Sequence, residues 1–186
     1  MATNHIQARG LTLVELMITL AITSILITGV APSFSASVKN TRLVTQLNSL
    51  HTSISLARSE AINRNSSITV CRSATSTSCT GVWQDGWIVF VDDDADGSVD
   101  DGDEIISVHS ALPDGSTLTS AQVQVIYASS GLAEPGSNST FTLCDTRGAA
   151  KAKGIIIGTT GRPRRAVDTD SNGIDQDGNN DDLVCL

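Results

Sequence analysis

Apolar residues crowd together from Leu11 to Ala31 without alternation, and from Leu16 to Ala31 no side chain carries a charge. A run of about 20 such residues can cross a bilayer as a helix. In hydrocarbon a helix satisfies its own backbone hydrogen bonds. Residues 11–31 are therefore predicted to be a transmembrane segment. Glu15 is the exception in the pattern. A carboxylate inside such a segment costs roughly 2.5–3.5 kcal/mol and usually marks function. The physical remedy is a positive partner. A free amine at Leu11, created by cutting after Gly10, would provide one on a neighbouring copy. Glu15 thus predicts both processing and self-assembly.

Beyond Pro32 the pattern turns amphipathic. Leu43, Leu47, Leu50, Ile54, Ala57 and Ala61 recur at spacings of four and three, which is one helical stripe. Glu60 and Arg64 fall off that stripe as an i,i+4 pair. The helix is predicted over 11–65, ending near Asn63–Ser67. Pro32 removes a donor and clashes with the carbonyl four residues back, so a bend is predicted near Ile27–Ala31. After the helix, short β-prone runs follow: Ser67–Arg72, Val82–Val91, Ile105–His109, Thr117–Tyr127, Thr140–Cys144 and Gly154–Ile157, punctuated by Gly, Pro, Asn and Ser. The expected fold class is α+β, with a long helix packed on an antiparallel β-rich domain at 66–186.

Composition narrows the function classes. The 186 residues carry a net charge of −8. A chain this acidic is a poor bulk binder of polyanions, so any nucleic-acid role must rest on a local patch. Aromatics at 3% argue against a stacking platform for bases. The four cysteines allow three pairings. Cys71 and Cys79 are close in sequence, leaving Cys144 and Cys185 to pair by elimination. The second bridge closes a loop of about 40 residues and stabilises by roughly 3–4 kcal/mol in the loop-entropy model. The spacings lack the paired short C-x₂₋₄-C pattern of a zinc site.

The segment Gly10-Leu11-Thr12-Leu13-Val14-Glu15 resembles the prepilin peptidase site of type IV pilins and type II secretion pseudopilins. Arg58–Asn65 (RSEAINRN), Trp83–Asp92 (WQDGWIVFVD), TFTLCDTRG from Thr140 and GIIIGTTGRPRR from Gly154 resemble the GspH/FimT branch of that family. The resemblance implies a leader, residues 1–10, removed by prepilin peptidase after Gly10. It also implies N-methylation of Leu11, where the family's usual residue is Phe. Pro32 lies where pilins carry a helix-softening proline. Implied too are storage in the inner membrane with the β-domain in the periplasm, then assembly with other pilin subunits into a pilus. The alternatives are a GspH-like pseudopilin of a type II secretion system and an assembly-priming minor pilin that binds no DNA.

Six of the twelve Lys and Arg lie within 147–165, a span free of Asp and Glu. Its end, Gly161-Arg162-Pro163-Arg164-Arg165, reads as a stiff turn exposing arginines, and arginine suits bidentate contact with phosphate. Gly161–Arg164 resembles the GRxR motif of FimT-like minor pilins, which implies binding of double-stranded DNA in natural transformation. Arg162 and Arg164, helped by Arg165 and Lys153, are the candidate phosphate contacts. The competing reading docks this turn on an acidic neighbour, such as the tail beginning at Asp168.

Two acidic runs match part of a calcium loop. Asp92, Asp94, Asp96 and Gly97 fit D-x-D-x-D-G, with Asp100 ninth and Asp103 twelfth. Asp168, Asp170, Asn172 and Gly173 fit the same opening. Neither run closes with the usual glutamate at the twelfth position, and strand-like flanks exclude an EF-hand domain; a solvated acidic turn is the plainer reading. No cofactor is required. Nothing in the sequence reads as a nucleophile elbow, P-loop or zincin helix, and none of His5, His51 and His109 sits in a catalytic pattern, so no enzyme is expected.

Overall fold

The computed structural model describes residues 10–185, and side chains outside 27–33. The leader expected at 1–10 therefore lies almost wholly outside the described residues. So does the side-chain packing around Pro32 that would accompany a bend. The chain divides into two compact units, Met1–Thr41 and Arg42–Leu186.

A single helix, α1 (Leu13–Arg64), crosses the unit boundary. In the first unit its described side chains are exposed and mostly apolar, from Leu13, 74% exposed, through Leu26, and again at Phe34, and Leu11 just before the helix is exposed as well. Among the described residues no helix is long and apolar enough to cross a membrane. In the second unit the periodic stripe holds as read: Leu43, Leu47, Leu50, Ile54, Ala57 and Ala61 are all buried. The helix stops where Asn65 takes a left-handed conformation (φ 54°) and Ser66 N–H reaches back to the Ala61 carbonyl at 3.3 Å. That is the usual helix stop, made here by Asn in place of Gly.

Eight strands are found among the described residues, in two antiparallel sheets of four. They are β1 (Ile68–Arg72), β2 (Gly86–Val91), β3 (Ile105–Ser110), β4 (Ser116–Ser120), β5 (Gln124–Tyr127), β6 (Ser139–Asp145), β7 (Lys153–Ile157) and β8 (Pro163–Arg165). The first sheet runs β3-β2-β1-β5 and the second β4-β6-β7-β8. The twofold side-chain period of each strand sets its faces. Ile68, Val70, Val89 and Val125 from one sheet join Leu118, Phe141, Leu143, Ile155 and Ile157 from the other around the helical stripe. The outer face of the first sheet (Cys71, Ile88, Phe90) is covered by Cys79 and Val99 from its loops. The outer face of the second (Cys144, Ile156) is covered by Ala166, Ile174 and Leu183 of the C-terminal tail.

Three expectations are corrected. Thr117–Tyr127 is not one strand. Its halves pair with different partners, β4 with β6 and β5 with β1, and residues 121–123 carry the chain between sheets. Trp83 Nε1–H fixes that crossing by donating to the Gln122 carbonyl at 2.8 Å. The run Val82–Val91 opens with a 3₁₀ turn, Trp83–Asp85, and only Gly86–Val91 is strand. The arginine stretch expected to be turn alone contains the edge strand β8.

The four cysteines form Cys71–Cys79 and Cys144–Cys185, with Cα separations of 5.5 and 5.9 Å.

Candidate functional site

At the N-terminal end, Thr12 and Glu15 cap α1 reciprocally. Glu15 N–H donates to Thr12 Oγ1, while Thr12 N–H and its hydroxyl both donate to Glu15 Oε2, each at 3.2 Å. This is the capping-box arrangement, which satisfies otherwise orphan helix donors. The carboxylate also lies where the helix dipole favours negative charge. Within one chain Glu15 is thus partly satisfied without a cation. Burial of that carboxylate alone is therefore a weaker reason for a neighbour's amine than the sequence suggested. The T-x-x-E signature was present at Thr12 and Glu15.

The arginine turn is held from beneath. Gly161 is buried at φ 72°, and a Cβ there would come within 2.6 Å of the Gly131 carbonyl and 2.9 Å of the Tyr127 ring. Only glycine fits both the conformation and the space. Tyr127 Oη–H donates to the Gly161 carbonyl at 3.0 Å, and Arg58 Nε–H holds the Gly131 carbonyl at 2.9 Å. Burial pushes the Tyr127 phenol well above the ordinary tyrosine range. The turn is thereby tied to α1 and to β5 through groups the sequence did not single out.

The four predicted phosphate contacts do not form one patch. The side chains of Arg162 and Arg164 are exposed and make no hydrogen bond or ion pair with any described residue. Arg164 is paired with Ile156, and Arg165 with Ile155, so strand alternation sends them to opposite faces. Arg165 donates from Nη2 to Asn48 Oδ1 on α1 at 2.5 Å. Lys153 Nζ is engaged by Asp175 Oδ2 at 2.8 Å. Arg162 and Arg164 remain as the available pair.

The first acidic run folds onto the outer face of its sheet. Asp92 is fully buried. Its carboxylate accepts from Thr69 Oγ1 at 2.5 Å and from the N–H groups of Gly97 and Asp96 at 3.1 Å. Burial pushes the Asp92 carboxyl above its ordinary range, partly offset by these donors. Gly97 (φ 80°) lies against the Gln124 amide, where a side chain would collide. Asp92, Asp94 and Asp96 each bring an oxygen within 4.8 Å of the others. Asp103 instead accepts from Asp100 N–H at 2.9 Å, and the charge of Asp96 holds the Asp100 carboxyl above its usual range. In the second run Asp168 accepts from the N–H groups of Ser171 and Gly173, which hold its carboxyl below the usual range. Asn172 Nδ2–H donates to Asp170 and Asp182.

The described geometry agrees with comparison to known proteins. The family described as type II transport protein GspH matches residues 46–161, and the prokaryotic N-terminal methylation motif matches residues 7–31. Two crystal structures of the Pseudomonas aeruginosa (strain PAO1) type IV minor pilin FimU share the fold at 19% identity. One has a TM-score of 0.55, covering 68% of this chain and 89% of the other; the second has a TM-score of 0.52, with 65% and 90%. No curated protein matches the chain in sequence. A family match over more than half the chain, a methylation motif at its N-terminus and a long helix set on antiparallel sheets place it together: the chain belongs to the GspH family and is a minor pilin or pseudopilin.

Proposed function

We propose that this chain is a minor pilin of a type IV pilus that captures double-stranded DNA for uptake in natural transformation. Residues 11–31 hold it in the inner membrane, with the β-domain in the periplasm. Prepilin peptidase cuts after Gly10, Leu11 is methylated, and the helix then packs among those of other pilins. The large apolar side chains exposed from Leu11 to Leu26 support that storage, because a contiguous apolar surface of this kind favours lipid or other helices over water. Glu15, capped by Thr12 within the chain, turns to the amine of a neighbouring subunit on assembly. The role is structural and adhesive rather than catalytic.

The observation that carries the DNA reading is the pair Arg162 and Arg164, exposed and unpartnered beside a turn that Gly161 and Tyr127 make rigid. Contacts confined to phosphates give weak, sequence-independent, salt-sensitive binding. The test is duplex binding by the processed chain in detergent across a salt series. Arg162→Gln/Arg164→Gln should lower affinity and reduce the log–log salt slope by about 2. A double variant that binds like the parent removes DNA capture. The chain would then be an assembly-priming minor pilin or a type II secretion pseudopilin.

Calcium is proposed at the first acidic run. One ion with Ca–O distances of about 2.3–2.6 Å could touch all three converging oxygens of Asp92, Asp94 and Asp96. A second ion, at Asp168, Asp170 and Asn172, would have to displace the bonds by which the Asn172 amide bridges Asp170 and Asp182.

A further inference from the structure

The C-terminal tail ends on the same face of the second sheet that presents Arg164. Beyond β8 it folds back on itself, with Gln176 N–H bonded to the Val167 carbonyl and Asp177 N–H to the Asp181 carbonyl. Leu183 and Gln176 are buried, Gly178 N–H reaches Thr140 Oγ1 at 3.3 Å, and Cys185 is bonded to Cys144 of β6. This strap carries Asp168, Asp170, Asp175, Asp177, Asp181 and Asp182. Asp175 already holds Lys153. Asp177, Asp181 and Asp182 line a groove of about 820 Å³ together with Arg164.

From this placement, we infer that the strap is a built-in competitor for phosphate that restrains the DNA-binding face. The inference rests on the DNA reading and adds its regulation. Carboxylates that line the same groove as Arg164 lower the positive potential a phosphate entering it would meet, and Asp175 keeps Lys153 from joining the contact. The disulfide and the buried Leu183 prevent the strap from swinging away. Capture then depends above all on Arg162, which is exposed and does not line that groove.

The experiment uses the full processed chain in detergent with a duplex DNA probe at low and at physiological salt. The variant Asp175→Asn/Asp177→Asn/Asp181→Asn keeps the disulfide and Leu183 in place. The expected result is duplex affinity about three- to tenfold tighter than the parent at low salt, with the gain shrinking as salt rises. The same three changes in an Arg164→Gln chain should gain less than in the parent. Equal affinity of parent and tail variant, both measurable, overturns the strap and leaves DNA capture standing. Loss of binding in both overturns the strap and the DNA reading together. A tail variant whose gain is undiminished by Arg164→Gln also overturns the inference, because the effect would then be one of net charge alone. A thermal midpoint within a few degrees of the parent's qualifies the comparison. Should the triple variant unfold, Asp177→Asn/Asp181→Asn, which spares the Lys153–Asp175 pair, is measured against the same outcomes.

Discussion

The phenol of Tyr127 donates to the carbonyl oxygen of Gly161 at 3.0 Å, fastening β5 to the arginine turn across 34 positions of sequence. The bond explains why a short motif with two arginines can hold a fixed orientation at the edge of a sheet. Tyr127→Phe leaves the Gly161 carbonyl unpaired and should cost about 1–3 kcal/mol in chemical denaturation. Gly161→Ala should cost more, since a methyl group would meet the Gly131 carbonyl and the backbone is left-handed there.

Tyr127 is the chain's one tyrosine, which gives a clean optical readout. Its folded phenol is raised above the unfolded value, so the contribution to stability is complete below about pH 10 and falls as pH rises toward the folded value. Phenolate absorbance in the folded protein should therefore be missing at about pH 11 and should appear together with unfolding. A free titration near pH 10 would show that the ring is not enclosed as described.

Asp92 gives the opposite end of the pH scale. Its carboxyl is raised by burial, so its effect on stability declines as pH climbs from the unfolded value near 3.9 through the higher folded value. Glu104, which accepts from Arg64 Nη1 at 2.6 Å, and Asp168, which accepts from the Gly173 N–H, are lowered by those donors and act in the reverse sense, losing their contributions as pH falls. The comparison must therefore be between parent and Asp92→Asn. The parent's advantage in thermal midpoint should shrink between pH 3 and pH 7, and a constant difference would contradict the burial argument.

Calcium would reverse that trend. At neutral pH, millimolar Ca²⁺ should raise the thermal midpoint of the parent, chelation should abolish the gain, and Asp94→Asn/Asp96→Asn should be insensitive. An unchanged midpoint at millimolar Ca²⁺ would leave the first acidic run a solvated turn pinned by Asp92.

The Cys144–Cys185 bridge closes a loop over a sequence separation of 41, and in the loop-entropy model its removal should cost about 4 kcal/mol. Cys144→Ser/Cys185→Ser should accordingly melt well below the parent. Retention of the parent's stability would mean that Leu183 and its neighbours hold the tail without the bridge.

The helix was legible because Leu43 to Ala61 repeat at a single period on one face, and no tertiary contact has to override that pattern. The strand pattern was less decisive. Thr117–Tyr127 alternates loosely throughout, so nothing local marks where β4 leaves one sheet and β5 joins the other; the crossing is fixed by Trp83, 39 positions away from Gln122. Strand β8 was hidden because Pro163 and two arginines read as a turn. On an edge strand, however, a proline costs little and charges discourage unwanted pairing. The basic cluster looked like one patch in sequence. Alternation along β8 and the pairing of Lys153 with Asp175 divide it. The Thr12–Glu15 box was readable from spacing alone, but the cost of a carboxylate in lipid drew the reading to a partner on another subunit.

The central claim is that the chain is stored in a membrane, cut once and built into a fibre through α1. The mass of the N-terminal peptide, taken from chain recovered in sheared pili, tests it most directly. The account predicts a peptide beginning at Leu11 and heavier by one methyl group. A peptide still carrying Gly10 and the residues before it, or chain that stays in the cell envelope and never enters the sheared fraction while prepilin peptidase is active, would contradict it.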